Sequence, residues 1–326
     1  MSSIPYSRYL AGPVPWYSFL IVTGVVLAIV LACREERRAG LPRDTVIDLA
    51  LWILPFGIIG ARIYYVVFSW NSFRNDLLSV FRIWEGGIAI YGGIIAGVIV
   101  LLVFCRVRKI RALPVCDVIV PGLALAQCIG RWGNWFNMEA YGFAVTDPGF
   151  CFFPLAVQIP EDGYAWHLAA FFYESVWDFL IFLYLVIARR KLFSKSGDAF
   201  FSYLFLYGAG RFVIEELRTD SLYAGSSVRV SQVISVILCL FVLLRYARNL
   251  YRSRRSAVLC YIAVPLAAAA SAFVLAYTLS GAFLSSLPAY RIIAWLSACA
   301  LLMILVFFLV FFSVRFGEVR HADDED

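Results

Sequence analysis

Long apolar runs separated by short clusters of arginine and lysine dominate this chain. The runs fall near Trp16–Ala32, Ile47–Phe68, Gly87–Cys105, Cys116–Cys128, Trp166–Ala188, Ala199–Ile214, Val230–Tyr246, Ala257–Leu279 and Ile292–Val314. A helix needs roughly 20 apolar residues to cross the hydrocarbon core of a bilayer. The pattern therefore predicts an all-α polytopic integral membrane protein, a helical bundle of about nine spans. The fourth run is short enough to be a partly inserted segment. A membrane β-barrel would show short alternating segments instead, and the chain does not.

The basic clusters orient the bundle. They follow the first span (Arg34, Arg37, Arg38, Arg43), the third (Arg106, Arg108, Lys109, Arg111), the fifth (Arg189, Arg190, Lys191, Lys195) and the seventh (Arg245, Arg248, Arg252, Arg254, Arg255), with Arg315 and Arg320 after the ninth. Under the positive-inside rule every cluster lies on the cytoplasmic face only if the amino terminus is outside and the acidic tail His321–Asp326 inside. The first run lacks the basic lead and small-residue cleavage site of a secretory signal, so it reads as a retained helix.

Composition agrees. Hydrophobic residues make up 62% and charged residues 15%, with a mean hydropathy of +0.82. The net charge of +6 is thus topological and gives no reason to expect nucleic acid. Eight cysteines without a CxxC pair and only two histidines give no metal-ligand pattern and suggest no cofactor.

Ionisable side chains at membrane depth are costly and become functional candidates. Arg62 sits in the second span, as a site residue, a counter-ion or a snorkelling cation. Asp117 opens the fourth, as a site residue or a helix cap. Glu174 and Asp178 lie four apart in the fifth, either lining a site or locking helices through arginine pairs. Arg211, Glu215 and Arg218 form a stripe ending the sixth. Gly93 and Gly97 in the third predict close helix approach. The densest polar stretch is Gly130–Gly142, GRWGNWFNMEAYG, placed where the fourth span meets the outer face. It opens the longest outside loop, 130–165, from which a small external cap is expected. Arg131 offers a planar fork suited to phosphate. Asn134 and Asn137 can donate to ester or phosphate oxygens, and Glu139 can accept a proton or hold an arginine. A glycine-rich polar stretch of this kind can also be only a loop.

That string resembles the signature G-R-x-G-N-x-x-N-x-E-x-x-G of the prolipoprotein diacylglyceryl transferases. Further segments resemble the family in the same order: Trp16-Tyr17, Gly60–Tyr65, Gly86–Gly93, Phe172–Asp178 and Gly210–Asp220. The family often carries histidine where this chain has Tyr91, and its usual His-Pro is here His167-Leu168.

The resemblance implies a membrane core over 1–256 built on seven family helices, with a periplasmic cap near 130–165. Residues 257–326 then form an extension of two helices and an acidic tail. The implied reaction moves the diacylglyceryl group of phosphatidylglycerol to the lipobox cysteine of a preprolipoprotein, in the bacterial inner membrane. Arg131 and Arg211 are expected on the head group, supported by Arg218. Asn134, Asn137 and Gly142 would complete the donor site. Glu139 and Glu215 would position arginines or relay a proton, and Tyr91 and Tyr17 are candidates for the thiol proton. A transporter predicts polar residues threading the midplane. A scaffold predicts tolerance of lysine at Arg131.

Overall fold

The computed structural model describes residues 7–193, 195–224 and 228–252. The eighth and ninth expected spans lie outside the described residues. The order is β1 (Tyr9–Ala11), β2 (Val14–Pro15), α1 (Trp16–Glu36), α2 (Thr45–Phe68), α3 (Trp70–Phe73), α4 (Ile90–Val107) and α5 (Ala112–Asn137). There follow β3 (Ala156–Ile159), β4 (Ala165–Leu168), α6 (Ala170–Lys191), α7 (Asp198–Leu217), β5 (Tyr223–Ala224), β6 (Val228–Arg229) and α8 (Val230–Arg252). Each strand pair is a two-stranded antiparallel hairpin.

Five helices among the described residues are long and apolar enough to cross a membrane: α1, α2, α4, α5 and all but the last residue of α6. Their outward faces bare large apolar side chains, among them Val22, Leu51, Val67, Phe68, Val107 and Ile187. In water such a surface would cost a great deal of free energy. Against lipid it costs nothing, and the protein is a multi-pass membrane protein. The sixth expected span corresponds to α7, which carries Arg211, Glu215 and Glu216 and is largely buried.

Two helices differ from expectation. The fourth span does not stop at Cys128. It continues as helix through Asn137, so most of the glycine-rich stretch is helical rather than looped. A helix satisfies its backbone internally whatever its side chains, so polar residues do not end it. The fifth begins later, because Ala165–Leu168 is a strand paired with Ala156–Ile159.

The described residues divide into two compact units, the boundaries falling inside α1 and α5. In the unit formed by residues 25–123 and 195–197, Leu49, Phe104, Cys105 and Val115 form one core cluster. Ala32, Val46 and Val118 form a second. The buried Glu36 carboxylate accepts from the backbone N–H groups of Asp44 (3.0 Å) and Val46 (2.9 Å), capping the start of α2. Asp117 accepts from the Gly197 N–H inside α5, five residues past the helix start, so it is no N-cap.

Arg62 is 7% exposed, and its partners are carbonyls rather than carboxylates. Its Nε donates to Val80 O (2.9 Å), Nη1 to Gly86 O (2.6 Å) and Gly87 O (2.8 Å), and Nη2 to Ser79 O (2.6 Å) and Arg82 O (3.3 Å). The guanidinium also stands 5.1 Å from the Phe73 ring centroid. All its charge is spent organising the 79–87 loop.

Close packing of α2 on α4 runs through a different glycine pair from the expected one. A Cβ on Gly97 would meet nothing within 4 Å, and one on Gly93 only Gly57 O at 3.4 Å and the Ala61 Cβ at 3.7 Å. On Gly92 it would stand 2.3 Å from Gly60 O and 2.4 Å from the Tyr64 Cβ. We expect Gly92→Ala to destabilise the protein by about 1–3 kcal/mol, the usual cost of overpacking. Gly93→Ala should be near neutral. Thermal unfolding of both in detergent checks this, and equal midpoints would contradict it.

In the unit formed by residues 7–24, 124–193 and 198–252, α6 packs on α7 and α7 on α8. The β3–β4 hairpin packs on α5 and α6. Val157, Ile159, Ala169 and Phe171 form its core, with Trp132, Trp135, Met138 and Tyr141 against them.

Candidate functional site

A single carboxylate on α6 collects arginines from two other parts of the chain. Glu174 is 2% exposed. Its Oε1 lies 2.6 Å from Arg131 Nη2, on α5. Arg211 Nη1, on α7, donates to Oε1 at 2.8 Å and to Oε2 at 3.0 Å. Arg218 Nη1, just past the end of α7, stands 3.9 Å from Oε2. One helical turn on, Arg211 Nη2 makes an ion pair with Glu215 at 2.6 Å. Such a cluster persists away from water only because opposite charges meet at hydrogen-bonding distance.

Its elements are positioned by local sequence. Glu174 and Asp178 share one face of α6 because they are four apart. Asp178 is 1% exposed, and neither carboxyl oxygen has a hydrogen-bond partner among the described residues. Arg131 faces Glu174 because the helix carries on past Gly130. On the far side of α5, Gly133 lets Tyr17 approach, since a Cβ there would stand 2.7 Å from Tyr17 Cδ2. The helix ends at Met138 with positive φ (56°), a left-handed helix terminus. Ala140 repeats it at 58°, a conformation that costs a non-glycine residue energy.

Arg218 is held by the backbone of the signature. Gly142 forms an isolated antiparallel bridge with it, and Phe143 N–H donates to Leu217 O at 3.1 Å. A Cβ on Gly142 would meet Leu217 O at 2.7 Å and the Leu168 Cβ at 2.9 Å, so only glycine closes this approach. The buried His167 pairs Nδ1 with Gly142 O at 2.9 Å and Nε2 with Asp162 at 2.8 Å. Arg218 in turn gives Nε and Nη2 to Asp220 at 2.9 and 2.7 Å. Burial pushes the Asp220 carboxyl up, but the Arg218 hydrogen bonds outweigh it and hold it below its ordinary range. With a lowered folded value, this pair contributes above the ordinary carboxylate pKa and is lost only as pH falls through the lowered one.

A second polar strand joins the amino-terminal segment to the signature. Arg8 Nε donates to Asn137 Oδ1 at 3.2 Å, and Asn137 Nδ2 donates to Glu139 Oε1 at 3.1 Å. Trp16 stacks on Phe136 beside it, centroids 4.8 Å apart. Asn137 is thus engaged at both ends of its amide. Asn134 is buried on α5. Tyr91 lies in the first turn of α4, in the other unit.

Of the expected site residues, Arg131, Arg211, Glu215 and Arg218 converge, Gly142 holds the backbone beside them, and Asn137 and Glu139 pair with each other. Glu174, read from sequence as either lining a site or locking helices, stands at the centre, and two contributors were not expected: Asp220 on Arg218, and Arg8. The Glu174–Asp178 spacing signals a polar helix face, but nothing local marks Arg8. Chemically, Arg131 is the open member. Its Nε and Nη1 make no hydrogen bond among the described residues, and its side chain is one-fifth exposed, as an arginine that receives an anion requires.

The family model described as "Prolipoprotein diacylglyceryl transferase" matches residues 8–248. A phosphatidylglycerol–prolipoprotein diacylglyceryl transferase of Limosilactobacillus reuteri is 44% identical over 239 residues, covering 70% of this chain and 85% of the relative. One from Enterococcus faecalis is 45% identical over 235 residues (71% and 84% covered). One from Streptococcus agalactiae is 42% identical over 253 residues (77% and 96% covered). From its match to the family model and its identity to these relatives, the chain belongs to the prolipoprotein diacylglyceryl transferase family.

Proposed function

We propose that the protein transfers the diacylglyceryl group of phosphatidylglycerol to the thiol of the lipobox cysteine of a prolipoprotein, the first step of lipoprotein maturation. Family membership supports the reaction. The observation that carries the site is the convergence of Arg131, Arg211 and Arg218 on Glu174, with Arg131 donors left for an anion.

In this reaction the bond between the glycerol carbon and the phosphate oxygen breaks, a carbon–sulfur bond forms, and glycerol phosphate departs. The thiol proton goes to a base, for which Tyr91 and Tyr17 are the candidates. Charge grows on the departing phosphate, and guanidinium groups fixed beforehand stabilise it in the transition state without reorganising. Asn134, Gly142 and Glu139 would shape the donor site around Arg131, with Glu215 holding Arg211. Both substrates are membrane-bound, so access is lateral, between helices.

The reading extends to topology. Nine spans, the amino terminus outside and the carboxyl terminus in the cytoplasm follow from the basic clusters, and residues 130–165 cap the outer face of the bacterial inner membrane. Residues 257–326 extend a family core over 1–256.

The test uses the detergent-purified chain with phosphatidylglycerol and a lipobox peptide. The expected result is a diacylglyceryl mass gain on the peptide cysteine with release of glycerol phosphate. A folded protein that leaves the peptide unmodified, beside an active relative, would overturn the reading.

A further inference from the structure

Glu174 holds the arginines so directly that an incoming phosphate must contend with it. The carboxylate engages Arg131 through Oε1 and Arg211 through both oxygens, at 2.6 to 3.0 Å. A phosphate diester presents two anionic oxygens of similar spacing, and guanidinium groups bind either anion in the same forked geometry. Arg211 has little left to offer, since its Nη2 is on Glu215. Arg218 has Nε and Nη2 on Asp220, with Nη1 3.9 Å from Glu174 Oε2. For Arg211 Nη1 to grip the phosphate, its hold must pass from Glu174 to the lipid.

A second observation separates this from a passive lock. A charge network built only to fasten helices is expected to satisfy each buried member. Here Asp178, one turn along the same helix face and 1% exposed, accepts no hydrogen bond among the described residues. It lies within the electrostatic reach of both Arg131 and Arg211. The cluster therefore holds a buried acceptor beside two arginines that both lean on Glu174, the condition for a cation to change partners.

We propose that Glu174 is a positioning residue that competes with the donor's phosphate for Arg131 and Arg211. The carboxylate keeps the guanidinium groups aligned and yields them to the head group on binding. This sets donor affinity below what the arginines alone would give. The inference rests on the transferase reading for the identity of the anion.

The test measures affinity for glycerol phosphate by titration calorimetry in detergent, together with KM and kcat for phosphatidylglycerol. Glu174→Gln removes the competing charge and keeps the shape. It should bind glycerol phosphate at least about tenfold more tightly, the lower end of what close charge pairs contribute, with a lower KM and a lower kcat. Glu174→Asp keeps the charge but withdraws it by one methylene. It should bind about threefold more tightly, and it decides the matter if the glutamine variant does not fold. Asp178→Asn should change affinity by less than Glu174→Gln does, because its carboxyl grips no arginine.

A folded Glu174 variant with unchanged or weaker anion affinity overturns the proposal, since a mere lock gives that result. So does an Asp178→Asn variant that matches Glu174→Gln, because the general field would then be responsible. Activity of the unaltered protein in the same preparation separates these outcomes from failure of the transferase reading.

Discussion

Arg131→Ala is expected to lower the rate of diacylglyceryl transfer by about 10²–10³-fold, the loss seen when one preorganised oxyanion donor is removed. Arg131 reaches Glu174 with one nitrogen, leaving its other donors and one-fifth of its surface for a ligand. Removing it takes away the fork proposed to receive the phosphate. It costs Glu174 only one of its partners, because Arg211 still donates to both carboxylate oxygens. The thermal midpoint should accordingly move little while kcat collapses. Arg131→Lys is the sharper comparison. A lysine carries the charge but no planar pair of donors, so at least nine-tenths of the rate should stay lost. A lysine variant close to full activity would show that charge alone suffices there, as a scaffold would require.

Gly210→Ala should have the largest effect on stability, roughly 3–5 kcal/mol, combining an overpacked core with a broken buried hydrogen bond. A Cβ at Gly210 would lie 1.9 Å from Trp177 Nε1, 2.2 Å from Cδ1 and 2.5 Å from Cε2. The indole cannot simply turn aside, because Nε1 donates to Leu206 O at 3.0 Å. The intruding methyl must either break that bond or push α7 away from α6. Either route moves Arg211, the next residue, relative to Glu174 and Asp178, so activity should fall with stability. Thermal unfolding in detergent, read beside Gly208→Ala, checks the size. At Gly208 the nearest atoms to a Cβ are Cys239 Sγ at 3.1 Å and Ser235 O at 3.2 Å, and the loss should be smaller. Wild-type stability in Gly210→Ala would mean that Trp177 has another rotamer open to it.

Hydropathy was a good guide wherever helices meet lipid. The second span was expected over Ile47–Phe68 and is Thr45–Phe68; the third was expected over Gly87–Cys105 and is Ile90–Val107. It failed where a helix turns a polar face inward. Beyond Cys128 the apolar signal of α5 is diluted by Arg131, Asn134 and Asn137, yet the helix runs on, because its backbone is satisfied internally while Arg131 meets Glu174 and Asn137 meets Arg8. It also failed at Trp166–Leu168, which continues the apolar run into α6 but pairs as a strand with the neighbouring Ala156–Ile159 in a hairpin that hydropathy alone does not show. The site was legible in part. The signature and the arginine stripe supply the cations that converge on Glu174. Glu174 had two equal readings, because a carboxylate in an apolar run says nothing of which arginines the fold will deliver. That convergence is a property of three helices at once.

Arg62 carries a different kind of lesson. Its five donors address only main-chain oxygens of Ser79, Val80, Arg82, Gly86 and Gly87, so the latch is blind to the side chains it holds. As far as this latch is concerned, the first three of those positions place no demand on the side chain, since any residue supplies a carbonyl. The constraint falls instead on Arg62, which lysine cannot replace donor for donor. It falls also on Gly86 and Gly87, whose φ values of +90° and +74° disfavour any residue with a Cβ. The loop can thus be rewritten letter by letter while its shape is inherited through one arginine.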